Sequence, residues 1–172
     1  GGVAALVRSV TAYSLDSPHT GAMRYDAEVK KIPAAAISVE AATMISRLQK
    51  RGKKCVVKLV MNAKDMGEAP SANVIAEIVG TEKPEEVVLI GGHIDSWDVG
   101  QGAQDDGAGC VAAMEAINIL RKLNLKPKRT IRVVLWTNEE NGLAGARSYA
   151  ARHQNDDHVA GIESDSGGFK PQ

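Results

Sequence analysis

Three groups of acidic and imidazole side chains in this 172-residue chain are suited to binding divalent metal ions. The first is His93-Ile94-Asp95, the second is the pair Asp105-Asp106, and the third is the pair Glu139-Glu140. Zinc accepts both imidazole and carboxylate ligands, and one carboxylate can bridge two ions about 3.5–4 Å apart. Adjacent carboxylates are costly to bury unless a cation neutralises them. The sequence therefore predicts most of a two-metal hydrolase site.

Two of these groups, and the later Asp165, follow apolar segments that read as strands. Val87–Ile90 is a continuous apolar run, typical of a strand buried on both faces, and it leads to His93. A second apolar run, Thr130–Trp136, leads to the glutamate pair, and a short run at Val159–Ser164 leads to Asp165. Because open α/β sheets place their chemistry at the carboxyl ends of strands, we expect these side chains to converge.

Taken alone, each group also has a simpler interpretation. His93 and Asp95 could be ordinary solvated residues at a strand end. The aspartate pair could be a glycine-rich acidic turn before a helix. Asp106 is the predicted N-cap of that helix, which makes Asp105 the better candidate for the metal. The glutamate pair could begin a solvated helix, where the helix dipole favours acids. Four acid-bearing groups in one chain favour the metal site over these separate explanations.

The predicted elements alternate between strands and helices, which indicates an α/β fold with a mixed sheet flanked by helices. A polar stretch with Gly and Pro at 64–71 divides the chain into domains 1–70 and 71–172. Strands 73–79 and 86–91 are joined by a short connection, so we expect them to form an antiparallel pair. The predicted helices are 39–50, one running through 110–120, and 143–153; the other predicted strands are 3–7, 34–38, 55–61, 130–136 and 159–164.

Composition points away from charged macromolecular partners. The chain has 21 Lys and Arg against 21 Asp and Glu, so its formal net charge is zero. This balance argues against nucleic acid or an anionic membrane as partner. No apolar run approaches the roughly 20 residues that span a bilayer. Cys55 and Cys110 are predicted to be small core residues rather than a disulfide.

A family resemblance accompanies these motifs. The run from His93 to Gly109, together with Trp136-Thr137-Asn138-Glu139-Glu140, resembles the first half of the catalytic domain of M28-type zinc aminopeptidases. Val3–Ser9 and Ile32–Ser38 resemble the later part of a protease-associated insert domain, found in a carboxypeptidase branch of that family. The expected fold is therefore an incomplete zinc-exopeptidase domain, preceded by part of that insert domain.

The resemblance implies a cofactor, a reaction and a role for six residues. The cofactor is a pair of zinc ions, and the reaction is hydrolysis of dipeptides or short peptides with free termini by an activated water. A cis peptide between Asp105 and Asp106, a homodimer, and a secreted, lysosomal or periplasmic location are also implied. The implied residue roles are His93 and Asp165 binding one ion, Asp105 bridging both, Glu140 binding the other, Glu139 acting as general base and acid, and Asp95 orienting His93.

The resemblance also implies a further histidine ligand on a later strand. This chain contains His19, His93, His153 and His158, and none of them matches that position. We therefore expect an internal fragment of a longer enzyme, with little activity on its own. Two alternatives stay open: a non-catalytic binding module that keeps the fold, and single-zinc acyl transfer of the glutaminyl-cyclase type.

Overall fold

A computed structural model of the chain describes residues 2–11, 16–19, 21–64, 66–97 and 100–165. The chain divides into two compact units, Gly1–Gly67 and Glu68–Gln172. All the candidate site residues belong to the second unit. Within the described residues, no helix is long and apolar enough to cross a membrane.

The first unit contains a two-stranded parallel sheet and one helix. Strand β1 (Ala5–Arg8) pairs with β2 (Ala34–Ile37), and helix α1 (Val39–Lys50) follows directly. The Ser38 side chain accepts a hydrogen bond from the Ala41 N–H at 3.1 Å and so caps the helix. The helix prediction over 39–50 is confirmed.

The predicted strand at 55–61 is wrong. Residues 53–64 are described and form neither a strand nor a helix. Val56 and Val60 are 82% and 75% exposed. A strand needs a neighbour for its N–H and C=O groups, and no described strand pairs with this segment. The apolar pattern alone was therefore misleading. Cys55 is half-buried rather than in a core.

The second unit contains a four-stranded mixed sheet. Its strands are β3 (Val74–Ile78), β4 (Lys83–His93), β5 (Arg129–Trp136) and β6 (Asp157–Glu163), in the spatial order β3-β5-β4-β6. β4 is parallel to both β5 and β6, whereas β3 is antiparallel to β5. The carboxyl ends of β4, β5 and β6 therefore lie along one edge of the sheet.

The predicted pairing of strands 73–79 and 86–91 is wrong, because β5 lies between β3 and β4. The connection between these two strands crosses the beginning of β5. Thr81 N–H donates to Pro127 O at 3.0 Å, and Lys83 N–H donates to Lys128 O at 2.9 Å. A Cβ on Gly80 would lie 2.6 Å from backbone atoms of Arg129 and Lys128, so the two segments touch. The short connection from β3 to β4 thus passes the beginning of β5, which lies between them.

Helices cover both faces of this sheet, as the fold prediction required. Helix α2 (Ala108–Lys122) covers one face and α3 (Ala144–Arg152) covers the other. Alternate residues of β5 point to opposite faces, which builds two apolar clusters. The buried residues are Cys110, Ala113, Val133 and Leu135 on the α2 side and Val134, Trp136 and Tyr149 on the α3 side. Cys110 is therefore a core residue, as predicted.

Candidate metal centre

His93 is the last residue of β4, and its side chain is held in one orientation. It is 1% exposed, and its main-chain N–H donates to Asp106 Oδ2 at 3.0 Å. Its main-chain carbonyl accepts from Cys110 Sγ at 3.1 Å. Nδ1 lies 2.9 Å from the Asp95 carbonyl oxygen, which can only accept, so Nδ1 carries the proton. Nε2 is then the ring atom available to a metal ion.

The Nε2 atom of His93 faces acidic side chains. It lies 2.8 Å from Asp105 Oδ1, 3.8 Å from Asp165 Oδ1 and 3.9 Å from Glu139 Oε2. Ligand atoms of His93, Asp105 and Asp165 all lie within 4.8 Å of one another. Nε2 of a neutral ring and a carboxylate oxygen are both acceptors, so a proton or a metal ion is needed between them.

The pKa of His93 reflects these neighbours. Burial alone lowers it, but the hydrogen bonds to the Asp95 carbonyl and the Asp105 carboxylate raise it above its ordinary value. Without a metal ion the ring is therefore driven towards its charged form. A divalent cation at Nε2 would replace that proton.

Glu140 supplies a carboxylate beside this group, and one of its two oxygens is unsatisfied. Its Oε1 atom is buried and has no hydrogen-bond partner. Burial, followed by the negative charge of Asp105, raises the pKa of Glu140 above its ordinary value. A buried carboxylate oxygen without a partner is unfavourable unless a cation reaches it. The donor set of one imidazole and several carboxylates, with this orphaned oxygen, fits divalent metal ions.

The Asp95 carboxylate makes contacts that the sequence did not indicate. It accepts hydrogen bonds from the main-chain N–H groups of Glu139 at 2.8 Å and Glu140 at 3.2 Å. Its Oδ1 lies 3.8 Å from His93 Nδ1, so the main-chain oxygen of Asp95 makes the closer contact with the ring. Asp95 thus links the end of β4 to the loop after β5.

Asp106 is buried, and its carboxylate accepts hydrogen bonds from main-chain N–H groups. The peptide bond between Asp105 and Asp106 is cis, as the family resemblance implies. The N-cap position of α2 belongs to Gly107, one residue later than predicted. The Asp106 carboxylate nevertheless accepts from Gly109 N–H at 3.0 Å, as well as from His93. A Cβ on Gly92 would lie 2.5 Å from that carboxylate, which explains a small residue there.

The other histidines have different partners. His153 and His158 contact Asp156 and Tyr149 on the α3 side of the sheet. His19 belongs to the first unit, where its N–H donates to Ser9 Oγ at 2.7 Å. Within the described ranges, His93 is therefore the one imidazole in the group.

The chain is similar to several known proteins. The model of peptidase family M28 matches residues 73–172. Carboxypeptidase Q of Xenopus laevis is 51% identical and carboxypeptidase Q of Homo sapiens is 49% identical, each over 99% of this chain. Leucine aminopeptidase 2 of Trichophyton equinum is 35% identical over 70% of this chain and 23% of its own length. The chain spans 37% of the length of the two carboxypeptidases.

A solved structure shows the same fold. The crystal structure of a peptidase M28 precursor from Shewanella amazonensis SB2B matches with a TM-score of 0.86 and 45% identity. The match covers 97% of this chain and 38% of that protein. The fold and the family resemblance predicted from the sequence are therefore confirmed. Since the family model covers more than half of the chain, the chain belongs to peptidase family M28.

Proposed function

We propose that the protein containing this chain is a zinc-dependent exopeptidase that hydrolyses dipeptides or short peptides with free termini. The observation that carries this proposal is the convergence of His93, Asp105 and Asp165 within 4.8 Å at the carboxyl edge of the sheet. The names of the similar proteins, carboxypeptidase and aminopeptidase, support exopeptidase chemistry.

Four side chains would hold two zinc ions. His93 and Asp165 would bind one ion, Glu140 would bind the other, and Asp105 would bridge them. Imidazole nitrogen and carboxylate oxygen together suit zinc. The buried, unpartnered Oε1 of Glu140 supports a second ion there, because a cation would satisfy it.

Glu139 is the proposed general base and acid. Two zinc ions, when bound, would lower the pKa of a water molecule and polarise the scissile carbonyl. Glu139 Oε2 lies 3.9 Å from His93 Nε2, close enough to act on the same water. It would accept the proton of the attacking water and later deliver it to the leaving amine. The hydrogen bond from Glu139 N–H to Asp95 fixes the main chain of this residue.

We assign residues 71–172 to the first part of the catalytic domain and residues 1–70 to the later part of a protease-associated domain. The division of the chain into units at residues 67 and 68 supports this boundary. For the whole protein, a homodimer and a secreted, lysosomal or periplasmic location are proposed from the sequence resemblance.

Zinc content and dipeptide hydrolysis test the proposal together. In the protein that contains this chain, we expect two zinc ions per folded chain by elemental analysis. Glu139→Gln should keep both ions and lower kcat by roughly 10²–10⁴-fold. Glu77→Gln is a matched control, since Glu77 pairs with Arg132 elsewhere in the unit.

Three results would contradict the proposal. A protein that binds zinc but hydrolyses no peptide would be a binding module. One zinc ion per chain, with cyclisation of N-terminal glutamine, would indicate acyl transfer instead. Full activity in Glu139→Gln would remove Glu139 from the mechanism.

A further inference from the structure

The loop that carries Glu139 and Glu140 is conformationally demanding. It runs from Thr137, just after β5, to Gly145 in α3. Asn138 and Leu143 have φ values of 60° and 61°, in the left-handed region that residues with a Cβ rarely adopt. Such residues persist when the surrounding contacts fix them. Within the loop, Leu143 N–H donates to Asn138 O at 2.8 Å, so the loop is closed by its own hydrogen bond and is positioned by contacts from outside it.

Asn73, the residue before β3, joins the two ends of this loop. Its Oδ1 accepts a hydrogen bond from Thr137 N–H at 3.0 Å, and its Nδ2 donates to Gly145 O at 2.9 Å. Gly145 N–H donates in turn to Thr137 O at 3.0 Å. The three bonds form a closed ring in which one side-chain amide connects the end of β5 to the start of α3.

The packing around this ring leaves little freedom. A Cβ on Gly145 would lie 2.2 Å from Asn73 Oδ1 and 2.4 Å from Thr137 O. Ser71 Oγ lies 2.7 Å from Thr137 Oγ1, which adds a second link to the same loop end. The two ends of the loop are therefore held at a fixed separation.

The tip of the loop has its own support. The Asp95 carboxylate accepts from the N–H groups of both Glu139 and Glu140. Asn73 fixes the base of the loop and Asp95 fixes its tip. The direction in which the two glutamate side chains leave the main chain thus depends on both contacts.

We propose that Asn73 is a positioning residue that holds the base of the loop and so places Glu139 and Glu140 beside His93. This inference rests on the proposed function, in which Glu139 moves the proton and Glu140 binds an ion. Asn73 would touch neither substrate nor metal, and it would act through the backbone of the loop.

The experiment compares Asn73→Ala with Asn118→Ala in the protein that contains this chain. Asn118 is a matched control, because it is also a half-buried amide but bonds Glu115 within α2. Loss of residues that orient metal ligands typically lowers metal affinity or activity by roughly 10–100-fold. We expect that loss in kcat/KM and in zinc affinity for Asn73→Ala and no change for Asn118→Ala.

Two further variants separate positioning from general stability. Asn73→Asp keeps the acceptor for Thr137 N–H but places a carboxylate oxygen against Gly145 O, where two acceptors repel, so its loss should be at least as large as that of Asn73→Ala. Gly145→Ala disturbs the same ring from the other side, so its effect should not add to that of Asn73→Ala. Amide hydrogen exchange of the segment 138–143 should be faster in Asn73→Ala than in Asn118→Ala.

The outcomes distinguish this inference from the proposed function. If the parent protein binds zinc and is active, but Asn73→Ala equals Asn118→Ala in kcat/KM and zinc affinity, the inference is overturned and the function stands. A fall in thermal stability alone would also overturn it. If the parent protein is inactive, the proposed function fails, and unchanged hydrogen exchange in Asn73→Ala would then refute the positioning role as well.

Discussion

Two clusters of histidines and carboxylates in the second unit look alike in composition but differ in charge balance. The metal centre gathers His93 with several acids at the carboxyl edge of the sheet. The second cluster surrounds Arg132 of β5, whose Nε lies 2.8 Å from Glu77 Oε2 and whose Nη1 lies 2.7 Å from Asp156 Oδ2. Its other members are Tyr149, His153 and His158. The Arg132 cluster contains its own counter-charge.

In the metal centre, the one base that the described residues place beside Asp105, Glu139 and Glu140 is the His93 ring. Among the ion pairs that the described residues make, none joins a lysine or arginine to Asp105, Glu139 or Glu140. The pKa values of one carboxyl group in each cluster are shifted in opposite directions. That of Asp156 is lowered by Arg132 and His153, whereas that of Glu140 is raised by burial and by Asp105.

This difference is what favours a metal ion in one cluster and not in the other. Counting histidines and acids would select both clusters. The presence of an arginine that satisfies the carboxylates marks the Arg132 cluster as structural, while a buried carboxylate oxygen without a partner marks the other as needing a cation.

Replacing Glu140 by Gln should have the largest effect on stability, and its sign should depend on zinc. In EDTA, the variant should be more stable than the parent protein, because a buried and repelled charge is removed. With zinc at 100 times Kd, the parent gains about 2.7 kcal/mol from binding, and the variant should lose most of that gain. Thermal unfolding in EDTA and in zinc measures both effects.

Asp156→Asn is the opposing control for this measurement. It removes a compensated carboxylate, so it should lower Tm equally with and without zinc. A lower Tm for Glu140→Gln in EDTA would show that the Glu140 carboxylate is already satisfied, and the contrast between the clusters would disappear.

The sequence indicated which side chains converge better than it indicated the topology around them. His93 and Glu140 closely follow apolar runs, so local patterns located them at strand ends, whereas Asp105 was located by its place in a glycine-rich acidic run. The order of β3, β5 and β4 was missed, because it depends on which strand inserts between two neighbours in sequence. The strand at 55–61 was wrong for a similar reason, since an apolar pattern does not supply a partner strand.

The supporting contacts of the site were not predictable locally. Asn73 bonds Thr137 across 64 positions of the chain, and Asp95 bonds Glu139 across 44. Neither residue stands in a motif that indicates such a partner. Only the folded sheet, which brings the end of β4 and the start of β3 next to the loop after β5, reveals these bonds.

Arg132→Met should be the next largest change. Met keeps the apolar stem but leaves Glu77, Asp156 and the Tyr149 hydroxyl without their shared donor. The Arg132 side chain is 12% exposed, whereas Glu77 and Asp156 are 38% and 32% exposed, so solvent would compensate part of the loss. We expect the free energy of unfolding in urea to fall by roughly 1–3 kcal/mol.

Zinc content provides the control for Arg132→Met. Because the Arg132 cluster is proposed to be structural, zinc binding per folded chain should not change. Loss of zinc in a folded Arg132→Met protein would mean that the two clusters are coupled and that the Arg132 cluster is not purely structural.

The smallest predicted effect is the pH dependence of the Asp156 contribution. Arg132 and His153 hold the pKa of Asp156 below its ordinary value. A lowered carboxyl pKa in the folded state stabilises the protein above the unfolded pKa, about 3.9, and that contribution is lost as pH falls through the folded pKa. Since Asp156 is partly exposed, we expect at most about 1 kcal/mol. Urea unfolding of the parent and Asp156→Asn at pH 7 and below pH 3 measures it.

Glu140 should show the reverse trend in zinc-free protein. Its pKa is raised in the folded state, so stability rises as pH falls through the raised value, when the carboxyl group takes up a proton. In EDTA, the amount by which Glu140→Gln is more stable than the parent should therefore decrease on acidification. The amount by which Asp156→Asn is less stable than the parent should decrease only at lower pH. Parallel pH profiles for the two variants would contradict the assignment of one cluster as compensated and the other as awaiting a cation. Opposite pH profiles would show that the difference between the two clusters arises from the carboxyl groups of Glu140 and Asp156.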